Sequence, residues 1–254
     1  MKHKLLYTLP AFALLMACGN GKVETKFDNG QIKESYTEVK DAKGELVKHG
    51  VFEAFDEKGQ IRDSVNYVMG KREGLEVKYY DNGKKMYACT WKANVANGRN
   101  EEFNTDGKLI KVTTLKQGVP DGAEIDYTPA GVKLEEKYFK DGIQDSIHMR
   151  WNEKGDLKMS TTFKMGKRNG VEMQFCEEEK YKEVKRDSVQ FVDGKRQGTE
   201  VYHICLNGEL SSIMTWKDDK MDGPYTYWEE NKKVVETYKM GECTKNCPKP
   251  PAAQ

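Results

Sequence analysis

Gly70-Lys71-Arg72-Glu73-Gly74-Leu75-Glu76-Val77-Lys78-Tyr79-Tyr80-Asp81-Asn82-Gly83-Lys84 is the stretch on which the fold turns. After Gly74 the side chains alternate. Leu75, Val77 and Tyr79 fall on one side, and Glu76, Lys78 and Tyr80 on the other. Period-two alternation describes a strand with one apolar face, and helical spacing does not fit it. Asp81-Asn82-Gly83 then reads as a tight hairpin turn whose central residues tolerate positive φ, as do Asp106-Gly107 and Asn207-Gly208.

The same text recurs along the chain. Gly59, Gly83, Gly107, Gly131 and Gly155 are 24 residues apart, as are Gly50, Gly74, Gly98, Gly122, Ser146 and Gly170. A fixed period of this size means small units stacked on their neighbours. Ala123-Ile125-Tyr127, Ile147-Met149-Trp151 and Val171-Met173-Phe175 repeat the first strand. Leu109-Thr113-Leu115, Leu157-Met159-Thr161-Phe163 and Leu210-Met214-Trp216 supply a second. Each unit is thus a β-hairpin closed by a glycine-and-basic turn, as in Gly166-Lys167-Arg168-Asn169-Gly170. The expected fold is all-β: an elongated antiparallel meander of about eight 24-residue hairpins. Lying flat it would be roughly 75 Å long. The spacing lengthens between Gly170 and Gly198, with the extra residues in the charged stretch Glu177 to Asp187, and again before Gly223. Longer hairpin tips absorb such insertions.

Two aromatic columns follow from the period. Phe55, Tyr79, Phe103, Tyr127, Trp151, Phe175, His203 and Trp228 follow the unit glycine by five residues; Tyr67, Trp91, Leu115, Phe139, Phe163, Phe191 and Trp216 precede it by seven. Counted by parity, both columns share the apolar face. Phe55, Tyr79, Trp91, Phe103, Tyr127, Trp151, Phe175, Trp216 and Trp228 then form one strip, serving as thin core, as partner surface, or as both. Glu76, Glu124, Glu172 and Glu200 form a row expected on the solvated face, paired with basic neighbours. The Lys-Arg turns suit lipid headgroups or phosphates, or ordinary soluble turns.

The ends carry separate information. Lys2 and Lys4 precede an apolar run from Leu5 to Ala17 that is too short to span a bilayer. Leu15-Met16-Ala17-Cys18 resembles a bacterial lipobox, which implies that Cys18 becomes the lipidated first residue of a membrane-anchored protein. The expected organisation is a lipoprotein signal peptide at 1–17, a tether at 18–26, the array at 27–241 and a Pro-rich tail at 242–254. The formal charge is +1, and −1 once Lys2 and Lys4 are removed. Neither value gives a field suited to nucleic acid. Charged residues make up 33% of the chain and are interspersed, as on a thin array with much surface per residue.

Export permits disulfides. Cys89, Cys176, Cys205, Cys243 and Cys247 are odd in number, so at least one stays unpaired, and Cys243 with Cys247 can close a local bridge in the tail. No metal-ligand spacing, nucleophile elbow or phosphate loop occurs. His49 precedes a turn glycine, His148 lies on a polar face, and His203 stands in an aromatic column. An enzyme is not expected, and neither a catalytic residue, a metal nor a cofactor is assigned.

The Gly-Lys-Arg-x-Gly-x-Glu-x-x-Tyr…Asn-Gly-Lys pattern, best seen from Gly70 to Lys84, Gly166 to Phe175 and Gly194 to Tyr202, resembles the bacterial variant of MORN-type repeats. Similar bacterial proteins are grouped as the YwqK family and labelled toxin–antitoxin antitoxins. The resemblance covers residues 27 to 241. It implies an open sheet of hairpins acting as a binding or membrane-associated scaffold. Asn94, Ser146 and Asp219 depart from it, standing where other units have turn glycines. The resulting expectation is a non-catalytic scaffold anchored in the bacterial cell envelope, on the outer-membrane or periplasmic side, with another protein as leading partner. An antitoxin-like neutralising role, and glycan or lipid-headgroup binding, are the alternatives.

Overall fold

The computed structural model describes residues 21–176, 185–230 and 232–248. They form one open antiparallel sheet of 21 strands paired in sequence order, except that Lys167–Arg168 and Gly170–Phe175 both pair with Leu157–Lys164, and Lys220–Met221 and Gly223–Glu229 both pair with Leu210–Lys217. The substantial contacts between strands are likewise between sheet neighbours, so among the described residues no second layer covers either face. The sheet reaches past the expected array at both ends. Gly21–Lys26 pairs with Ile32–Lys40, and Glu242–Lys245 pairs with Lys232–Lys239. The expected signal peptide and Cys18 lie outside the described residues, as do most of the charged insertion and the end of the tail.

The two kinds of turn exchange the roles expected of them. At Asp56–Gln60 the Asp56 Oδ1 accepts the Lys58 and Gln60 N–H groups at 2.9 and 2.8 Å, and Gly59 N–H returns to the Asp56 carbonyl at 2.9 Å. Only the glycine has positive φ (+79°). Asn104 and Asn152 repeat this geometry with Gly107 and Gly155. These are therefore longer side-chain-capped turns with a glycine bulge, not two-residue turns. The tight turn with two positive-φ residues lies at the opposite edge, as at Met69 (φ 50°) and Gly70 (φ 78°) between paired Val68 and Lys71. Lys71 and Arg72 already belong to the next strand.

The tight turns also bond to each other along the array. Gly70, Gly118, Gly142 and Gly166 each donate N–H to a carbonyl one repeat earlier, at 2.8 Å. The preceding turn residue donates to a side chain one repeat back. Met69 reaches His49 Nδ1, Ala93 reaches Glu73 Oε2, Gln117 reaches Asn97 Oδ1 and Met165 reaches Asp145 Oδ2. A polar acceptor just before the unit glycine thus satisfies a turn donor that would otherwise lack a partner. Asn94 and Asp219, which replace turn glycines, keep positive φ and accept the Arg72 and Arg196 backbone N–H groups at 2.7 and 2.8 Å.

The two faces differ in content. Val77, Ala88 and Val112 are buried on the aliphatic face. Val65, Glu76, Cys89, Val189, Phe191 and Glu200 are buried on the other, called here the glutamate face. With no covering layer, these short side chains lose water to the long side chains beside them.

Candidate functional site

A β-bulge in the second strand of every hairpin but the last, Gly223–Glu229 with Lys232–Lys239, divides the two aromatic columns. Phe103 pairs with Leu109, but Glu102 pairs with Lys111, leaving Ile110 as an extra residue. One inserted residue reverses the face of everything after it. Leu109 therefore lies with Phe103, whereas Thr113 and Leu115 lie on the opposite side. The same shift occurs between Arg150 and Trp151 and between Lys78 and Tyr79. Phe55, Tyr79, Phe103, Tyr127, Trp151, Phe175 and Trp228 are on the aliphatic face. Trp91 and Trp216 are on the glutamate face, each directly opposite a unit glycine, Gly74 and Gly198. The single nine-residue strip read from parity does not exist.

The glutamate row is not solvated either. Glu76 is only 3% exposed and accepts the Trp91 indole N–H at 2.9 Å. The Arg72 guanidinium lies 3.8 Å from the centre of the Trp91 ring and 3.6 Å from Glu76. Arg196, Glu200 and Trp216 rebuild the arrangement, with the guanidinium 3.6 Å from the ring and the indole N–H 2.5 Å from Glu200. Arg168 stacks on Phe191 at 4.1 Å and pairs with Glu172 at 3.1 Å. Lys48 sits over Tyr36, Phe52 and Tyr67. A stacked cation is worth about 0.5–2 kcal/mol, more as water is excluded. The motif Gly-Lys-Arg-x-Gly-x-Glu thus encodes a stacking unit whose arginine is drawn inward and away from the turn edge.

Two carboxylates beside these units diverge. Asp63 and Asp187 occupy the same place, next to Glu76 and Glu200. Burial raises both, and the neighbouring glutamate raises them further. Lys78 stands 4.0 Å from Asp63 and 3.8 Å from Glu76, opposing the rise. Tyr202 fills the lysine's place opposite Asp187, and Asp187 is pushed up to about 6. Midway along the face, Glu124 joins Lys111 and Lys137, and Lys137 joins Glu135, which also holds His148 at 2.8 Å.

The aliphatic face keeps the first aromatic column half-buried, with Trp228 exposed. Lys133 Nζ lies 5.3 Å from the Trp151 ring and 2.7 Å from Glu136. At its tight-turn edge this face carries an array that column-by-column reading would have found. Lys92, Lys116, Lys140, Lys164, Lys217 and Lys239 recur there, all exposed. Exposed Val68, Val95, Val119, Ile143 and Val192 lie among them, flanked by Val51, Leu75 and Val171. Among the described residues, no ion pair holds Lys92, Lys140 or Lys164.

The cysteines pair as Cys176–Cys205 and Cys243–Cys247, leaving Cys89 free and buried. Burial raises the Cys89 thiol, so it stays protonated. His203 contributes a ring to its column, with Nδ1 buried and unpartnered. Among the described residues, no three His, Cys, Asp or Glu side chains are grouped to hold a metal ion.

Residues 48–69 and 72–93 match the family model for the MORN repeat variant, so these two units are similar to MORN repeats. Both matches begin at a stacked cation, Lys48 or Arg72, and include the ring it covers, Tyr67 or Trp91. No curated protein matches the chain.

Proposed function

We propose that this protein is a non-catalytic scaffold of the bacterial cell envelope, lipid-anchored through Cys18, that binds another protein along the aliphatic face. The single observation carrying the reading is that face's uncovered strip of exposed aliphatic side chains and lysines. Contiguous apolar surface rimmed by charge is what a partner buries, and the lysines select an acidic one. The first aromatic column borders the same face and extends the contact surface. Trp91 and Trp216 are excluded from it, because their rings are covered by Arg72 and Arg196. MORN repeats commonly serve as protein- or membrane-binding modules, which agrees with a scaffold. An anionic headgroup surface is the second reading, favoured by the same unpaired lysines.

Two variants of the anchored protein test this. Lys92, Lys116, Lys140 and Lys164 changed together to Glu should abolish crosslinking to the native partner while the far-UV circular dichroism is kept. Tyr79→Ser with Tyr127→Ser and Trp151→Ser should weaken it. Undiminished crosslinking by both folded variants would remove the face from consideration. Fatty-acid labelling and membrane fractionation of Cys18→Ser test the anchor, which is refuted if the variant keeps the label.

A further inference from the structure

On the glutamate face, one trough among the described residues is lined by a surplus of positive charge. This trough, of about 540 Å³, opens between strands Ile143–Trp151, Leu157–Lys164, Gly170–Phe175 and Lys185–Val192. Arg150, Lys158 and Arg186 line it, with Glu172 as the lining carboxylate and Asn152 and Gln174 as neutral polar groups. Glu172 is already engaged by Arg168 at 3.1 Å. The corresponding trough at the first units sets Arg72 and Lys78 against Glu76 and Glu102, and so is balanced.

The cations at the later trough retain bonding capacity. Arg186 donates from Nη2 to Gln174 Oε1, but its Nε is buried and has no partner. Lys158 Nζ donates to the Cys176 carbonyl at 3.0 Å, leaving two of its three hydrogens. Arg150 keeps a 62% exposed side chain and only a 3.9 Å approach to Glu135. Bulge geometry brings Arg186 to this face, because the extra residue sits beside Asp187 opposite Gln174. The repeat is also at its least regular here: the unit is lengthened, and Cys176, whose carbonyl holds Lys158, is bridged to Cys205. Lys158 and Arg186 fill the bulge position that Arg62 fills in an earlier unit, whereas Met86, Ile110 and Leu134 stand there in between.

We propose that this trough is a binding site for the phosphate monoester group of a small molecule. Three cations against one lining carboxylate leave a surplus that a dianion offsets, and guanidinium forks suit tetrahedral oxyanions. The volume lies within the range of small-ligand sites. The three cations lie on the glutamate face, away from the lysine strip, while Trp151 and Phe175 of the first aromatic column also line the trough; the proposal rests on the cations and not on the protein-binding reading.

Isothermal titration of the full-length protein with inorganic phosphate and glucose 6-phosphate tests it in about 150 mM salt, where unspecific surface attraction is screened. We expect saturable one-site binding that weakens about tenfold or more in Arg186→Gln and in Arg150→Gln. Lys140→Gln, which removes an exposed charge on the other face, should bind as the native protein does. Circular dichroism separates loss of binding from loss of fold, and the exposed position of Arg150 gives a variant that folds. Absence of saturation up to about 10 mM would overturn the proposal. So would equal weakening by Lys140→Gln, or binding confined to phosphatidylglycerol vesicles, whose headgroup is a diester on a surface.

Discussion

Asp187→Asn should make the centre of the array more stable at neutral pH and leave it unchanged in acid. Asp187 is 8% exposed, its Oδ1 lacks a hydrogen-bond partner, and Glu200 and Glu172 lie close enough to oppose its charge. Arg186 opposes that effect only in part. The folded carboxyl titrates at about 6 against an ordinary 3.8. A raised acid binds its proton more tightly when folded, so its contribution is complete below about pH 4 and is lost as pH rises through 6. The gap corresponds to an upper bound of about 3 kcal/mol, reduced to about 2 by solvent reaching the open face.

Asparagine is neutral at every pH and nearly isosteric, so it removes this loss. Amide hydrogen exchange over Lys185–Val192 and Lys195–His203 is the suitable assay, because a repeat array opens locally and a global midpoint would average over distant units. Protection in the variant should match the native protein near pH 4. It should exceed it by a factor corresponding to about 2 kcal/mol at pH 7.5, each compared at equal pH. Tyr202→Lys, which restores the cation found beside Asp63, should flatten the same dependence. A difference that stays constant from pH 4 to 7.5, or that favours aspartate at neutral pH, would refute the reasoning.

Other consequences follow from the same geometry. Trp91→Phe keeps a ring under Arg72 but leaves Glu76 without its indole donor, and should cost about 1–3 kcal/mol in local exchange protection. A double-mutant cycle with Glu76→Gln should recover part of that cost. Gly122→Ala should destabilise by more than Gly131→Ala in denaturant titrations. Both have positive φ, but a Cβ at Gly122 meets Thr114 at 3.1 Å, whereas the space at Gly131 is open. Cys176→Ser with Cys205→Ser should cost about 3–4 kcal/mol, read as increased urea sensitivity of the adjoining strands. Loss of no more than a few tenths would mean that the bridge contributes little beyond the pairing already present.

The hairpin array was legible because both of its signals, alternation and glycine spacing, are local. The face of each second strand was not. Parity fails at a bulge, and Ile110, Lys158 and Arg186 differ too much in character to announce that they are the inserted residue. Burial of the glutamates was hidden for a related reason. On a solvated face Glu76 and Glu200 read like any acidic residue, and only the pairing with Trp91 and Trp216 from the following strand identifies their partners. The acceptor column before the unit glycine was recoverable. His49, Glu73, Asn97, Asp121 and Asp145 differ in charge but share the ability to accept a hydrogen bond. A search by charge passes over them, whereas a search by donor and acceptor finds them.

The single-layered sheet constrains where specificity can reside. Each hairpin is stabilised by its neighbours through turn-to-turn bonds and stacked cations, so a substitution is felt mainly within one or two repeats. Columns that recur in every unit, such as the exposed lysines, can add affinity along a long partner but do not by themselves mark one position on it. Selective recognition of a small group requires a unit that differs from the others. The unit between Gly170 and Gly198 is lengthened and disulfide-bridged, holds Arg186 and the raised Asp187, and shares its trough with Arg150 and Lys158 of the preceding unit. Protonation near pH 6 and anion binding would then be coupled at one place. A neutral Asp187 leaves more positive potential for the ligand, while the phosphate monoester itself takes up a proton at about pH 6, so from pH 7.5 to 5.5 the native protein should lose less affinity than Asp187→Asn does. Asp187→Asn should bind more tightly than the native protein at pH 7.5 and equally at pH 5.5, Arg186→Gln should lower affinity at both, and a profile unchanged by Asp187→Asn would separate the two features.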